Sequence, residues 1–123
     1  MGAKTLMTIE QFLQLPDEEL RRYELWQGEL VEVGETVFSH SWIRDKLILI
    51  ATVLLKAKLG GEVLAETGIQ FDSNTVARPD VAYWDAEHLQ RIDWEQGPVA
   101  VIPQLVVEVL SPSKAPSNNN MDN

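Results

Sequence analysis

Two carboxylates of this chain sit where carboxylates are costly. Asp80 lies in Arg78-Pro79-Asp80-Val81-Ala82-Tyr83-Trp84, and Glu108 lies in Leu105-Val106-Val107-Glu108-Val109-Leu110. Both stretches read as β-strands with a single acid among apolar neighbours. An ionised carboxylate in that setting is unfavourable unless donors, an opposite charge or a metal ion hold it. Two of them in successive strands predict a site where both face one cation. Local alternatives stand beside this reading. Asp80 could pair with Arg78 or cap the pleat next to Pro79, and Glu108 could be a strand-end acid bonded to backbone or to arginine.

Positioning these acids falls to the rest of the chain. Thr8-Ile9-Glu10-Gln11 has the form of a capping box, and Phe12, Leu13 and Leu15 follow it as one apolar helix face. Pro16 ends that helix. Pro16-Asp17-Glu18-Glu19 opens a second short one, with proline at its first position and acids at the positive end of the dipole. Residues 22–33 read as a hairpin whose arms are Tyr23-Glu24-Leu25-Trp26 and Glu29-Leu30-Val31-Glu32-Val33. Gln27-Gly28 makes the turn, and Gly28 supplies positive φ. Glu24, Glu29 and Glu32 are most simply its solvated face.

Trp42, Ile43, Leu47, Ile50, Ala51, Leu54 and Leu55 recur at helical spacing, which predicts one long helix over 42–59, capped by Ser39 or Ser41 and stopped by Gly60-Gly61. Ile48, Leu49 and Val53 widen its apolar face, so it should pack on more than one side. Its cations Arg44, Lys46, Lys56 and Lys58 outnumber Asp45. Residues 62–71 and 75–84 alternate as an antiparallel pair around Asp72-Ser73-Asn74. Pro79 forces the second arm to bulge or lose pairing directly before Asp80. Asp85 to Leu89 reads as one helical turn, 91–102 as a loop through Gly97-Pro98, and 104–110 as a buried central strand. Beyond Ser111-Pro112-Ser113 the chain is polar and Asn-rich. That predicts a domain over 1–113 and a disordered tail over 114–123.

The 123 residues suffice for one small domain, and 45% hydrophobic content with four tryptophans gives it core material. There is no cysteine, hence no disulfide, thiol nucleophile or cysteine metal site. No apolar run approaches the roughly 20 residues of a membrane span, and no secretory leader is evident, so a cytoplasmic protein without a membrane partner is expected. A net charge of −9 and a pI near 4.6 disfavour nucleic acid as a non-specific partner.

Several motifs stand in an order that resembles one known family. They are Tyr23-Glu24-Leu25-Trp26-Gln27-Gly28-Glu29-Leu30-Val31-Glu32, Ser39-His40-Ser41, Thr67-Gly68-Ile69, Arg78-Pro79-Asp80-Val81-Ala82, and Pro103-Gln104-Leu105-Val106-Val107-Glu108-Val109-Leu110-Ser111-Pro112-Ser113. Together they look like the Uma-type family described as putative restriction endonucleases, within the PD-(D/E)XK nuclease superfamily. The resemblance implies an α/β, restriction-endonuclease-like core: one long helix on a mixed β-sheet with an N-terminal hairpin. It implies hydrolysis of DNA phosphodiester bonds, with Asp80 and Glu108 holding Mg²⁺ or Mn²⁺ and the Val109 carbonyl as a further ligand. It also brings Glu24 and His40 to the same cleft, Glu24 toward the metal directly or through water, and His40 toward a phosphate or water.

Two departures accompany it. The superfamily lysine two residues after the glutamate is Leu110 here, and Lys114 stands too early to match a lysine displaced onto a later helix. The final helix and strand of the fold also have no counterpart, so the chain reads as C-terminally truncated, with a sheet edge that a homo-oligomer or the tail would cover. The second function kept open is a catalytically silent domain acting as an oligomerisation or interaction module. His40 as a structural residue, His88 as a surface residue and the tryptophans as core or interface are the plain readings of those positions.

Overall fold

The computed structural model describes residues 6–34 and 36–110. The chain begins with α1 (Ile9–Leu13), whose capping box forms in full. Thr8 Oγ1 accepts the Gln11 N–H at 3.1 Å, and Gln11 Oε1 accepts the Thr8 N–H at 2.9 Å. α2 (Asp17–Arg22) follows, with Pro16 at the capping position rather than at the first helical one. β1 (Tyr23–Trp26) and β2 (Glu29–Glu32) pair antiparallel, Tyr23 opposite Glu32. Gln27 and Gly28, both at positive φ, make the tight turn between them.

α3 (Phe38–Ala51) is the long helix. It starts four residues earlier than its apolar spacing predicts, and Ser39 and Ser41 lie inside it. The cap position is Val37, without a side-chain hydrogen bond. Its continuation widens to π-helical geometry over Thr52–Lys56 and ends as α4 (Ala57–Leu59). Thr52 Oγ1 donates back to the Ile48 carbonyl at 2.7 Å at that transition, competing with the regular ladder. Gly61, at φ +89°, cannot be replaced: a Cβ there would meet the Trp84 carbonyl oxygen.

Each of the two strands expected around Asp72-Ser73-Asn74 is divided. β3 (Glu62–Ala65) and β4 (Ile69–Asp72) take the place of one arm, β5 (Thr75–Ala77) and β6 (Val81–Trp84) that of the other. The halves belong to different sheets. One sheet has the order β2-β1-β5-β4. The other has the order β3-β6-β7, where β7 is Leu105–Val107. All named strand pairs are antiparallel, and a parallel bridge joins Ile69 to Val99. The one-turn helix α5 (Ala86–Leu89), capped by Asp85, leaves β6 as expected.

β6 shows how period-two alternation builds the core. Val81 and Tyr83 face α3, packing with Val63 and against Leu47, Ile48, Ala51 and Leu55. Ala82 and Trp84 face the other way with Ile69, against Phe71, Leu89 and Ile92. α1 closes the four-stranded sheet through Ile9, Phe12, Leu25 and Val76.

Two expectations are corrected here. β7 is an edge strand among the described residues, with Leu105 44% and Val106 42% exposed, because β6 covers only one of its sides. Of the four tryptophans only Trp84 is buried, and Trp26, Trp42 and Trp94 are exposed. The tail 114–123 and Lys114 lie outside the described residues. No helix among the described residues is long and apolar enough to cross a membrane.

Candidate functional site

The site lies where both arms change sheets. Glu66 takes φ +50°, an uncommon conformation for a residue with a side chain, and its N–H reaches the carbonyls of Pro79 and Asp80 at 3.1 and 3.3 Å. That strained residue lets β3 leave its sheet. On the neighbouring arm Pro79, without an N–H, separates β5 from β6. The interruption sets Asp80 one residue before Val81, and Val81 pairs with Val107. Asp80 therefore lies opposite Glu108.

The two acids extend the ladder with their side chains. Glu108 Oε1 accepts the Asp80 N–H at 2.9 Å, and Asp80 Oδ2 accepts the Val109 N–H at 2.7 Å. Asp80 is only 7% exposed. Glu108 is exposed as a residue, yet its carboxyl group turns toward the Asp80 backbone. Burial of that carboxyl raises its pKa above the ordinary range, and the nearby charges of Asp80 and Glu24 add to this, against the lowering effect of the Asp80 N–H. The backbone-bonded alternative for Glu108 is thus realised in part, and the same contacts bring it against Asp80.

Arg78 does not pair with Asp80. Its guanidinium donates to the carbonyls of Leu20, Arg21 and Tyr23 at 3.0–3.1 Å, at the end of α2. Its own N–H is held by Glu24 Oε2 at 2.7 Å, while Glu24 Oε1 accepts the Trp26 indole N–H at 3.0 Å. Glu24 is therefore a brace on the backbone two residues before Asp80 as well as a wall of the site. His40, on the first turn of α3, is 5% exposed. Its Nε2 lies 3.2 Å from Asp80 Oδ1, but the approach lacks hydrogen-bond alignment, and neither ring nitrogen has a hydrogen bond among the described residues.

These four residues line one cavity of about 300 Å³, together with Arg21, Arg22, Glu66 and Arg78. Glu24, His40, Asp80 and Glu108 are thus brought together, and Val109 joins them through its N–H. His88 is apart, bound to Asp85 at 2.8 Å. Sequence reasoning missed Glu66, Arg21 and Arg22. The Arg21-Arg22 pair directly precedes Tyr23-Glu24, which was the available signal, whereas nothing local marks Glu66 for positive φ. Among the described residues no three His, Asp or Glu groups converge tightly enough to form a metal cage. Asp80 and Glu108 form an adjacent pair instead, and Arg78 is turned away from them. That donor set suits Mg²⁺, which is commonly bound by one or two carboxylates and keeps several waters.

The Uma2 family, described as "Putative restriction endonuclease", matches residues 9–120. The fold is also that of a crystal structure of a "putative nuclease belonging to DUF820" from Anabaena variabilis, with a TM-score of 0.68 and 23% identity. The likeness covers 94% of this chain and 64% of that one, so the chain spans about 64% of that relative's length. No curated protein matches. By the extent of the family match, which runs through every element from α1 to β7 and includes Glu24, His40, Asp80 and Glu108, this chain belongs to the Uma2 family of putative restriction endonucleases.

Proposed function

We propose that the cavity is the centre of a metal-dependent endonuclease that hydrolyses DNA phosphodiester bonds. One observation carries this reading. Asp80 and Glu108 are held together at the ends of neighbouring strands, and Arg78, the nearest cation in sequence, is committed to carbonyls. A divalent ion would favour the ionised form of Glu108, which burial and, after it, the nearby charges of Asp80 and Glu24 disfavour. Asp80 and Glu108 would hold it, with the Val109 carbonyl as a further oxygen.

Bound there, Mg²⁺ or Mn²⁺ supplies charge neutralisation at the attacked phosphate and an acidified water. The chain's own groups do the remaining work. Arg21 and Arg22, on the cavity wall, meet phosphate oxygens by charge-assisted hydrogen bonds. Glu24 fixes the backbone of Arg78 and so the placement of Asp80. His40, buried against Asp80 with unfilled ring nitrogens, orients a water or a phosphate oxygen.

The silent-domain reading is favoured by Leu110, which stands where the superfamily lysine is expected and is 84% exposed. Metal titration and plasmid cleavage separate the two. The endonuclease reading expects Mn²⁺ binding that is lost in Asp80→Ala and Glu108→Ala, and nicking or linearisation of plasmid DNA by the parent. Equal binding by both variants and the parent would remove the site. Binding without cleavage would leave the silent domain.

A further inference from the structure

His40 is placed without a hydrogen bond of its own. It is buried, its Nε2 stands out of alignment with Asp80 Oδ1, and neither ring nitrogen has a partner among the described residues. Its position therefore depends on whatever holds the first turns of α3. The start of that helix gives little help. Val37 caps it without a side-chain hydrogen bond, and Phe38 and Ser39 beside His40 are exposed.

One turn after His40, on the same side of α3, stands Arg44. Its largely buried guanidinium donates through Nη1 to Glu66 Oε2 and through Nε to Asp45 Oδ1. Asp45 belongs to α3 itself, so that second bond anchors the helix to nothing else. Glu66 lies just past the end of β3 and takes φ +50°. Its N–H is tied to the carbonyls of Pro79 and Asp80. Glu66 thus holds the backbone of Asp80 with its own backbone, and α3 with its carboxylate. A glycine would take that φ at lower cost, and backbone strain of this kind clusters at functional sites. The side chain that makes the conformation costly is the one that reaches Arg44.

We propose that Arg44 and Glu66 are positioning residues, a strut that sets His40 against Asp80. Its part in turnover rests on the endonuclease reading above, in which His40 orients a water or a phosphate oxygen; the placement of the ring does not. The pair adds little to the stability of the fold, because Glu66 is half exposed. Its effect is geometric, and a displacement of about 1 Å at a reacting group can cost about 100-fold in rate.

Proton–nitrogen NMR of the metal-free full chain tests the strut. The chain has two histidines, His40 and His88, so a His88→Gln variant assigns the ring signals. Arg44→Ala and Glu66→Ala should each move the His40 signals, in the same direction and to a similar extent, and leave those of His88 in place. The double variant should move them no further than either single one, as the two ends of one link require. Glu66→Gln, which still accepts from Arg44, should restore most of the parent's His40 signal. Asp45→Ala, which removes the other acceptor of Arg44, should leave it unchanged. The urea midpoint of each variant should stay near the parent's. Unmoved His40 signals, additive shifts in the double variant, or an Asp45→Ala shift as large as that of Glu66→Ala overturn the proposal. In plasmid cleavage, Arg44→Ala and Glu66→Ala should lower kcat by about 10- to 100-fold with KM within about twofold of the parent. A moved ring with unchanged kcat overturns the part in turnover. A parent that cleaves nothing, with the His40 signals behaving as expected, removes the endonuclease reading and keeps the strut.

Discussion

The acid-lined cavity and the α3–β7 face border the same three-stranded sheet but are completed differently. Around the cavity the polar groups find partners within the chain. Glu24 takes two N–H groups, Arg78 gives to three carbonyls, and Asp80 and Glu108 each take a backbone N–H from the opposite strand. Among the buried side chains described there, the imidazole of His40 is the exception. Over β7, large aliphatic side chains stand half exposed, uncovered by any of the described residues. The difference follows from the two kinds of interaction. A buried donor or acceptor without a partner costs about 1–3 kcal/mol at once. Exposed apolar surface costs only in proportion to area, about 25 cal/mol per Å². Polar networks must therefore close within the chain, while an apolar face can stay open.

If that contrast is right, the largest effect of substitution on stability belongs to Arg78. Arg78→Ala frees three carbonyls at the junction of α2 and β1 and should cost roughly 3 kcal/mol in urea unfolding. A loss below about 0.5 kcal/mol would mean that water serves those carbonyls equally well. A middle-sized effect is expected at Glu108, and it has a sign. Its folded pKa is raised, so the protonated form favours folding. That contribution is fully present below the unfolded glutamate value of about 4.3 and is lost as pH rises through the folded value. Glu108→Gln should therefore unfold at a higher temperature than the parent near neutral pH, and the two should converge toward pH 4. Added Mn²⁺ should reverse the order by stabilising the parent alone. The smallest effect belongs to the apolar face. Ile50→Glu should leave the chain within about 0.5 kcal/mol of the parent, since Ile50 is 52% exposed. A large loss there would show that the face is already filled.

Local chemistry made much of this legible. Thr8 and Gln11 announce their cap, Gly28 its turn, and Pro79 the distortion before Asp80, because each acts through its own backbone. The pairing of Asp80 with Glu108 followed from two lone acids in apolar strands. What escaped was set by distant contacts. Arg78 is two residues from Asp80 but reaches α2, because the backbone at Pro79 turns the two side chains apart. Glu66 accepts positive φ only because Pro79 and Asp80 carbonyls await its N–H. The run from 104 to 110 reads as central since an apolar strand paired on one side has the composition of one paired on both. The start of α3 was misplaced because Phe38, 73% exposed, stands outside the apolar periodicity.

The break between β5 and β6 has a consequence for how this fold can vary. Three residues, Arg78 to Asp80, carry the chain from one sheet to the other, and strand side chains alternate with a period of two. One residue more or less in that link would rotate β6 half a turn, sending Trp84 toward the helix and Tyr83 away from it. The crossing beside Asp80 therefore has a fixed length, as a key has a fixed number of teeth.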